Sequence, residues 1–537
     1  MPIANQVTLL DASGNFVATY STIQDAVNNA HDGYTVEVGP GTYQEQVTVN
    51  GLTNLTIKGS GQGSTTILSP DAANLVSNIN NPDEFHPSTD ALIGLENGAS
   101  ATIENLTVNG NNQGVVYATG ANGGGDLIGI EAVNSGLTVK NVHVTGTEDV
   151  ESGVLQGGQG NKGIDVDNVD GVARTATITG STVDGFQKAG IYLRGANLAV
   201  NVSGNTVTGV GTAPTNLAQN LVEVFGGPTG SVTDNILTGV SDANGGSAGV
   251  LAFEPGSGLT VNGNAVSGEA GNVGSYGIVL YNADAAVAEN NLLTNQGYAL
   301  TEDGLSFPPG TFTTALQQSG NTYSSDAVNY TFLAAPNSST AWMVTGTGGP
   351  DDLEGGAAND VFTLTGGNAN NNLFVGNDGV DTVQGYGSGY KVAVQSGTRG
   401  AAQWVVTNGS ATDILTGIEK AVINGTTFDL VDQLGTNTGG FQSIQSAVDA
   451  ASPGDVVVAD TGSSVQNVNV SVDNLTFESF QDATGITLNL SGSAQTVTLA
   501  DYTPGAGPAV TAVADSLTDS FKGCLLYTSP SPRDRQK

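Results

Sequence analysis

Aromatic residues, charge and above all positive charge are scarce in this sequence. Of 537 residues only 6% are Phe, Trp or Tyr and only 12% are charged, whereas 77 are glycine. So little aromatic volume cannot fill one large globular core, and burial has to be spread along a chain of small side chains. Lys and Arg number 13 against 50 Asp and Glu, a formal net charge of −37. Such an excess of acid repels phosphate backbones and excludes nucleic acid as a partner, while it suits divalent cations. No apolar run approaches the ~20 residues of a membrane-spanning helix. A single cysteine excludes a disulfide scaffold. The opening MPIANQVTLLDASGN has neither the basic segment nor the apolar stretch of a cleaved signal peptide. Export is therefore expected to use another address.

The last residues read differently from the rest. The run CLLYTSPSPRD from Cys524 to Asp534 is similar to a translated transposase sequencing adapter, so Cys524 to Lys537 (524–537) is set apart from the fold. Without it no cysteine remains, and ten bases stand against forty-nine acids, a charge of −39.

What is present is repetition. One phrase returns as IGLEN (Ile93 to Asn97), IGIEAV (Ile128 to Val133), KGIDVD (Lys162 to Asp167), AGIYLR (Ala189 to Arg194), NLVEVF (Asn220 to Phe225), AGVLAF (Ala248 to Phe253) and YGIVLY (Tyr276 to Tyr281). Its glycine falls at 94, 129, 163, 190, 249 and 277, with Leu221 in its place once. A second phrase of the type LTVKNVHVTG follows each. Both alternate apolar and polar residues, the period of a strand with one buried face. Such strands cannot bury that face alone, so successive coils must stack. Asn205, Asn235, Asn264 and Asn291 recur at one turn, where stacked amides can bond from coil to coil. The pattern predicts a parallel β-solenoid over 1–335. Ser21 or Thr22 can cap a short helix at about 20–31 that covers the first coil with Ile23, Ala26 and Val27. With the PGTY and VTV phrases, this entry resembles that of the pectin-lyase-like right-handed parallel β-helix superfamily. The resemblance implies an all-β fold and leaves activity open, because lyases, hydrolases, esterases, epimerases, adhesins and tailspikes share the architecture.

Nonapeptides begin at Gly346: GTGGPDDLE, GGAANDVFT from Gly355, GGNANNNLF from Gly366 and GNDGVDTVQ from Gly376. They match GGxGxDxUx, in which glycines permit turns whose carbonyls face a hard cation and aspartate supplies charged oxygen. Leu353, Phe362, Leu373 and Val383 are expected to fill the interior. The segment resembles the hemolysin-type (RTX) family. That resemblance implies Ca2+ held by Asp351 facing Asn371 and by Asp360 facing Asp381, one or two ions in all, with the first site weaker. A metal-free Gly/Asn/Asp-rich linker is the alternative. The expected order is a β-roll at 336–390, a strand-rich trailing block at 391–438 and a truncated second β-helix module at 439–523. The last rests on FQSIQSAVDAASPGD, where Ile444 and Gln445 lie 421 residues after Ile23 and Gln24. Nonapeptides without a leader resemble substrates of type I export, which implies an extracellular or cell-surface protein.

Stacking the first phrase puts Glu96, Glu131, Asp165, Tyr192, Glu223, Leu251 and Val279 in one outward column and Val133, Asp167, Arg194, Phe225, Phe253 and Tyr281 in the next. Asp165, Asp167, Lys188, Tyr192, Arg194 and Glu223 are the catalytic candidates, since neighbouring carboxylates can split into acid and base and Arg194 or Lys188 could hold a uronate carboxylate. Phe225, Phe253 and Tyr281 are the carbohydrate-stacking candidates. The competing reading is a solvated sheet face. Phrases typical of pectinesterases (DFIFG, LGRPW), polygalacturonases (NTD, GHG) and alginate epimerases (DPH) are missing, with only a weak echo in DEFHP at 83–87. His86 and His143 read as surface residues. The functional expectation is a polysaccharide-binding or adhesin-like module array without nucleic-acid or membrane partners. A uronan lyase or mannuronan C5-epimerase is the alternative.

Overall fold

The computed structural model describes residues 3–81, 88–114, 126–151, 154–156, 160–212, 217–241, 246–269, 274–304, 314, 316–396, 402–432, 440–459, 467–478, 487–490, 496–499, 511–513 and 520–522. DEFHP with His86, and the tail from Cys524, lie outside them. The chain forms two compact units, Met1–Asn329 and Tyr330–Lys537.

The first unit is a parallel β-helix. Each coil gives one strand to each of three sheets, as Arg174–Thr179 does to the first, Thr182–Val183 to the second and Lys162–Asp167 to the third, and the next coil repeats this with Leu198–Ser203, Thr206–Thr212 and Ala189–Arg194. Registers run in parallel from coil to coil: Ile164 beside Ile191, Ala176 beside Val200, Val183 beside Val207. The alternating apolar letters point inward, and Ile164, Val166, Ile191, Leu193, Val222 and Val224 are fully buried. Since the coils are only about 4.8 Å apart, the repeated glycine has a steric reason. A Cβ on Gly163 would lie 2.6 Å from the carbonyl oxygen of Gly190, and one on Gly249 2.6 Å from that of Gly277. The asparagines form the expected ladder. Asn205 donates to Asn235 at 2.9 Å, Asn235 to Asn264 at 2.9 Å, Asn264 to Asn291 at 3.0 Å and Asn291 to Asn321 at 3.1 Å.

The first repeat departs from the expected alignment. Glu131 stands beside Gly94, and Leu95 beside Ala132, so Glu96 is not in the Glu131 column but one outward position further along. A two-residue slip keeps every side chain on its face, so hydropathy is blind to it. The strand Thr89–Glu96 is longer than its phrase, and hydrogen bonding sets its place.

The covering helix is Ile23–Asn28, capped by Thr22, with Ile23, Ala26 and Val27 buried. Above the first sheet an antiparallel hairpin, Val7–Leu10 with Phe16–Tyr20, pairs with Thr35–Val38.

In the second unit the nonapeptides send strands alternately to two sheets. Asp351–Glu354 pairs with Leu373–Val375 in one, and Val361–Thr363 with Thr382–Tyr386 in the other. This is a two-sheet roll whose interior holds Leu353, Phe362, Phe374 and Val383. Phe374 rather than Leu373 fills the third place, beside Leu353. The third repeat is therefore read one residue early, because its run of asparagines hides the register. The second sheet continues without a break through Lys420–Ile423, Thr426–Val431, Val456–Ala459 and Leu475–Glu478. A second covering helix, Ile444–Ala450, precedes Val456–Ala459.

Candidate functional site

The third sheet of the first unit carries both expected columns on its outer face. One runs Glu131, Asp165, Tyr192, Glu223, Leu251, Val279; the other runs Val133, Asp167, Arg194, Phe225, Phe253, Tyr281 and on to Asp303. The sheet brings together five of the six catalytic candidates. Lys188 lies just ahead of its strand, where its Nζ donates to the Ala218 carbonyl at 2.8 Å; burial lowers its ammonium, and Glu223 and Lys162 are near enough to act on it.

The acids are not on a solvated face. Glu131, Asp165 and Asp167 are fully buried, and Tyr192 and Glu223 are each 8% exposed. Two residues from the preceding coil cover this end: Asn81 donates to Glu131 Oε1 at 2.9 Å and Thr89 donates to Oε2. A cation that the sequence reading overlooked completes the group. Lys162 lies 2.6 Å from Asp165 Oδ2 and 4.0 Å above the Tyr192 ring. Its signal was available, since bases are few and Lys162 immediately precedes the column glycine.

Burial sets the electrostatics here. It raises Glu131 to about 7, against the bonds from Thr89 and Asn81. Asp165 is pushed well above the carboxylate range, by burial first and then by Asp167 and Glu131, against Lys162. For Lys162 burial pulls downward and Asp165 and Asp167 pull upward, so the pair shares a proton along its 2.6 Å contact. Asp167 has Arg194 Nε at 3.9 Å. Carboxyls so enclosed cannot touch a substrate from this side, which weakens their candidacy as acid and base.

Beyond Arg194 the same face changes character. Phe225 stacks on Phe253 with centroids 5.2 Å apart and planes 16° from parallel, and Phe253 meets Tyr281 at 5.7 Å. All three rings are partly exposed. Arg194, Phe225, Asn168 and Ala196 line a cleft of about 340 Å³ at the head of this ladder. A second pair, Tyr276 and Tyr298, stacks at 5.2 Å at the start of the same strands, in register with Ala248 and Asn220. His143 lies elsewhere, on the second sheet, bonded to Asp184 at 2.9 Å.

In the roll each aspartate curls beneath the first glycine of its own repeat. A Cβ on Gly346 would be 2.6 Å from Asp351 Oδ2, on Gly355 2.1 Å from Asp360 Oδ2, and on Gly376 2.3 Å from Asp381 Oδ2. The carboxylates also accept backbone amides of a neighbouring turn: Trp342 N reaches Asp360 at 2.7 Å, Asp360 N reaches Asp381 at 2.7 Å, and Asp381 N reaches Glu419 at 2.7 Å. Beside Asp351 stands Asn372, accepting its amide at 2.9 Å, while Asn371 is exposed. The expected partner is therefore displaced by one residue, with the register. Thr347 occupies both oxygens of Asp351, whereas Asp381 Oδ2 is buried without a hydrogen-bond partner. Among the described residues no group of three or more His, Cys, Asp or Glu is placed to hold a metal. A calcium ion, needing six to eight oxygens, would have to take most of them from backbone carbonyls. The Asp360–Asp381 rung fits that demand better than the Asp351 rung.

Neither family models nor curated proteins match the sequence. Solved structures do. A pectin methylesterase from Yersinia enterocolitica is 12% identical at a TM-score of 0.32, covering 58% of this chain and 92% of its own. The PL6 family alginate lyase AlyGC is 14% identical at 0.32, covering 92% and 70%. ORF18 of Geobacillus virus E2 is 12% identical at 0.31, covering 72% and 65%. Likeness at this level carries no argument about activity, and the fold stands on the sheet registers above.

Proposed function

We propose that this is an exported, calcium-binding, modular β-helix protein that acts at the cell surface or in the matrix by holding polysaccharide on the first unit. The observation that carries the reading is the register-matched column Arg194, Phe225, Phe253, Tyr281. It is a partly exposed run of stacked rings with a guanidinium at its head, and aromatic faces pack against sugar rings while one polar group fixes orientation. The rival lyase or epimerase reading needs its acids to touch substrate, and the candidates Asp165, Asp167 and Glu223 are covered.

The test is binding and turnover on a panel of neutral glycans, alginate and pectate. Retention without turnover, weakened about tenfold by Phe253→Ala, supports a binding face. Unsaturated product lost in Asp167→Ala would overturn it in favour of the lyase, and no retention of any glycan would leave a scaffold. The calcium reading rests on the buried Asp381 oxygen. Added Ca2+ should raise the melting temperature of the second unit and a chelator should reverse the effect. An unchanged melting temperature would defeat it.

A further inference from the structure

We propose that Lys162 and Asp165 form an intramolecular amide cross-link, with Glu131 relaying the proton. Lys162 Nζ and Asp165 Oδ2 are already in contact at 2.6 Å, with 10% and 0% of the side chains exposed. The second oxygen of Asp165 is buried without a hydrogen-bond partner. Glu131 is the residue in register with Asp165 on the preceding coil, equally enclosed, and Asn81 and Thr89 hold its carboxyl in place. Tyr192 covers the amine from the following coil. The site thus unites a nucleophile, an electrophile and a second carboxyl where water is scarce.

The chemistry balances without a further reactant. A proton passes from the ammonium to the Asp165 carboxylate along the existing hydrogen bond, leaving a free amine and a carboxylic acid. The nitrogen lone pair forms a bond to Cγ. The proton shed by nitrogen travels through the Glu131 carboxyl to the departing hydroxyl, the C–O bond breaks, and one water leaves. Ammonium plus carboxylate become amide plus water, with no change in net charge. Contact at 2.6 Å supplies the proximity that such a condensation lacks in solution. The driving force is physical: an ion pair shut away from water carries a desolvation cost that a neutral amide does not.

A second enclosed pair serves as a reference. Lys420 and Asp429 meet at 2.9 Å, but the Lys420 ammonium also donates to the Ala450 carbonyl at 2.9 Å and its side chain is 17% exposed. It is expected to remain an ordinary ion pair.

The experiment is intact-mass measurement of the purified full chain under denaturing conditions, followed by peptide mapping. The expected result is the loss of one water, located in a peptide that spans Lys162 to Asp165 and is not cleaved after Lys162. Asp165→Ala and Glu131→Gln should each restore the full calculated mass. Glu131→Gln keeps the shape of its site, and circular dichroism verifies that it remains folded. Folded wild-type protein at full mass would overturn the proposal, as would a water lost elsewhere in the chain. A cross-link persisting in Glu131→Gln would overturn the relay.

Discussion

The β-helix begins twice in this chain, and the two beginnings close their sheets differently. At the first, Gln24 accepts the amide of Thr48 at 2.6 Å and donates to its carbonyl at 3.2 Å. At the second, Gln445 does the same to Asn469, at 2.7 and 3.1 Å. The glutamine side chain imitates a peptide group and so pairs an otherwise open rung. Ile23, Ala26 and Val27 are buried beneath the first helix, and Ile444, Ala447 and Val448 beneath the second. The neighbouring edge is where they differ. Thr35–Val38 is met by the antiparallel hairpin strand Val7–Leu10, whereas Val456–Ala459 is met by Thr426–Val431 running parallel. The helix with its glutamine is thus the constant part of a module start. The strand beside it is supplied by whatever precedes, so a module can continue a sheet as readily as it can open one.

The sharpest challenge to this equivalence is the anchor. Ile23→Ala and Ile444→Ala should each cost about 2 to 5 kcal/mol, read as lost amide protection over Val47–Asn50 and Asn467–Val470 respectively in hydrogen exchange. If only one variant loosens its coil, the two starts are not the same device. Next in size is the pH effect that Glu131 exerts on the first unit. Glu131 is raised to about 7 in the folded protein, so its favourable contribution is complete below its unfolded value near 4.5 and is lost as pH rises through 7. That loss is on the order of 3 kcal/mol. Urea unfolding of the first unit at pH 5 and pH 8 should show this fall, and Glu131→Gln should reduce it.

Gln24→Ala and Gln445→Ala leave a strand amide and carbonyl without partners, at about 1 to 3 kcal/mol each. Exchange at Thr48 and Asn469 should quicken in parallel. The smallest effect belongs to the helix caps. Thr22 accepts the amide of Asp25 at 3.1 Å, while Ser443 and Ser446 cap each other reciprocally. Thr22→Ala and Ser443→Ala should cost about 0.5 to 2 kcal/mol, with Ser443→Ala the larger in helix exchange because it also strips Ser446 of a bond.

The repeated glycine, the alternating apolar letters, the asparagines at one turn and the 421-residue recurrence of Ile-Gln together determined a stack of coils with helix-covered starts, and each does so through local geometry. A glycine is required where neighbouring backbones nearly touch, alternation follows from the pleat, and an amide at a turn can reach its copy one coil away. Sequence also determined which letters share a column, wherever strand lengths are equal. Tertiary structure decided the rest. It placed Gly94, not Glu96, beside Glu131, and Asn372, not Asn371, beside Asp351, because hydrogen-bond register answers to strand ends that a period-two pattern does not see. It also decided that Glu131, Asp165 and Asp167 are enclosed while Phe225, Phe253 and Tyr281 stay open. What lies over an outward side chain is a segment distant in sequence, as Asn81 and Thr89 lie over Glu131, and no local pattern records that contact.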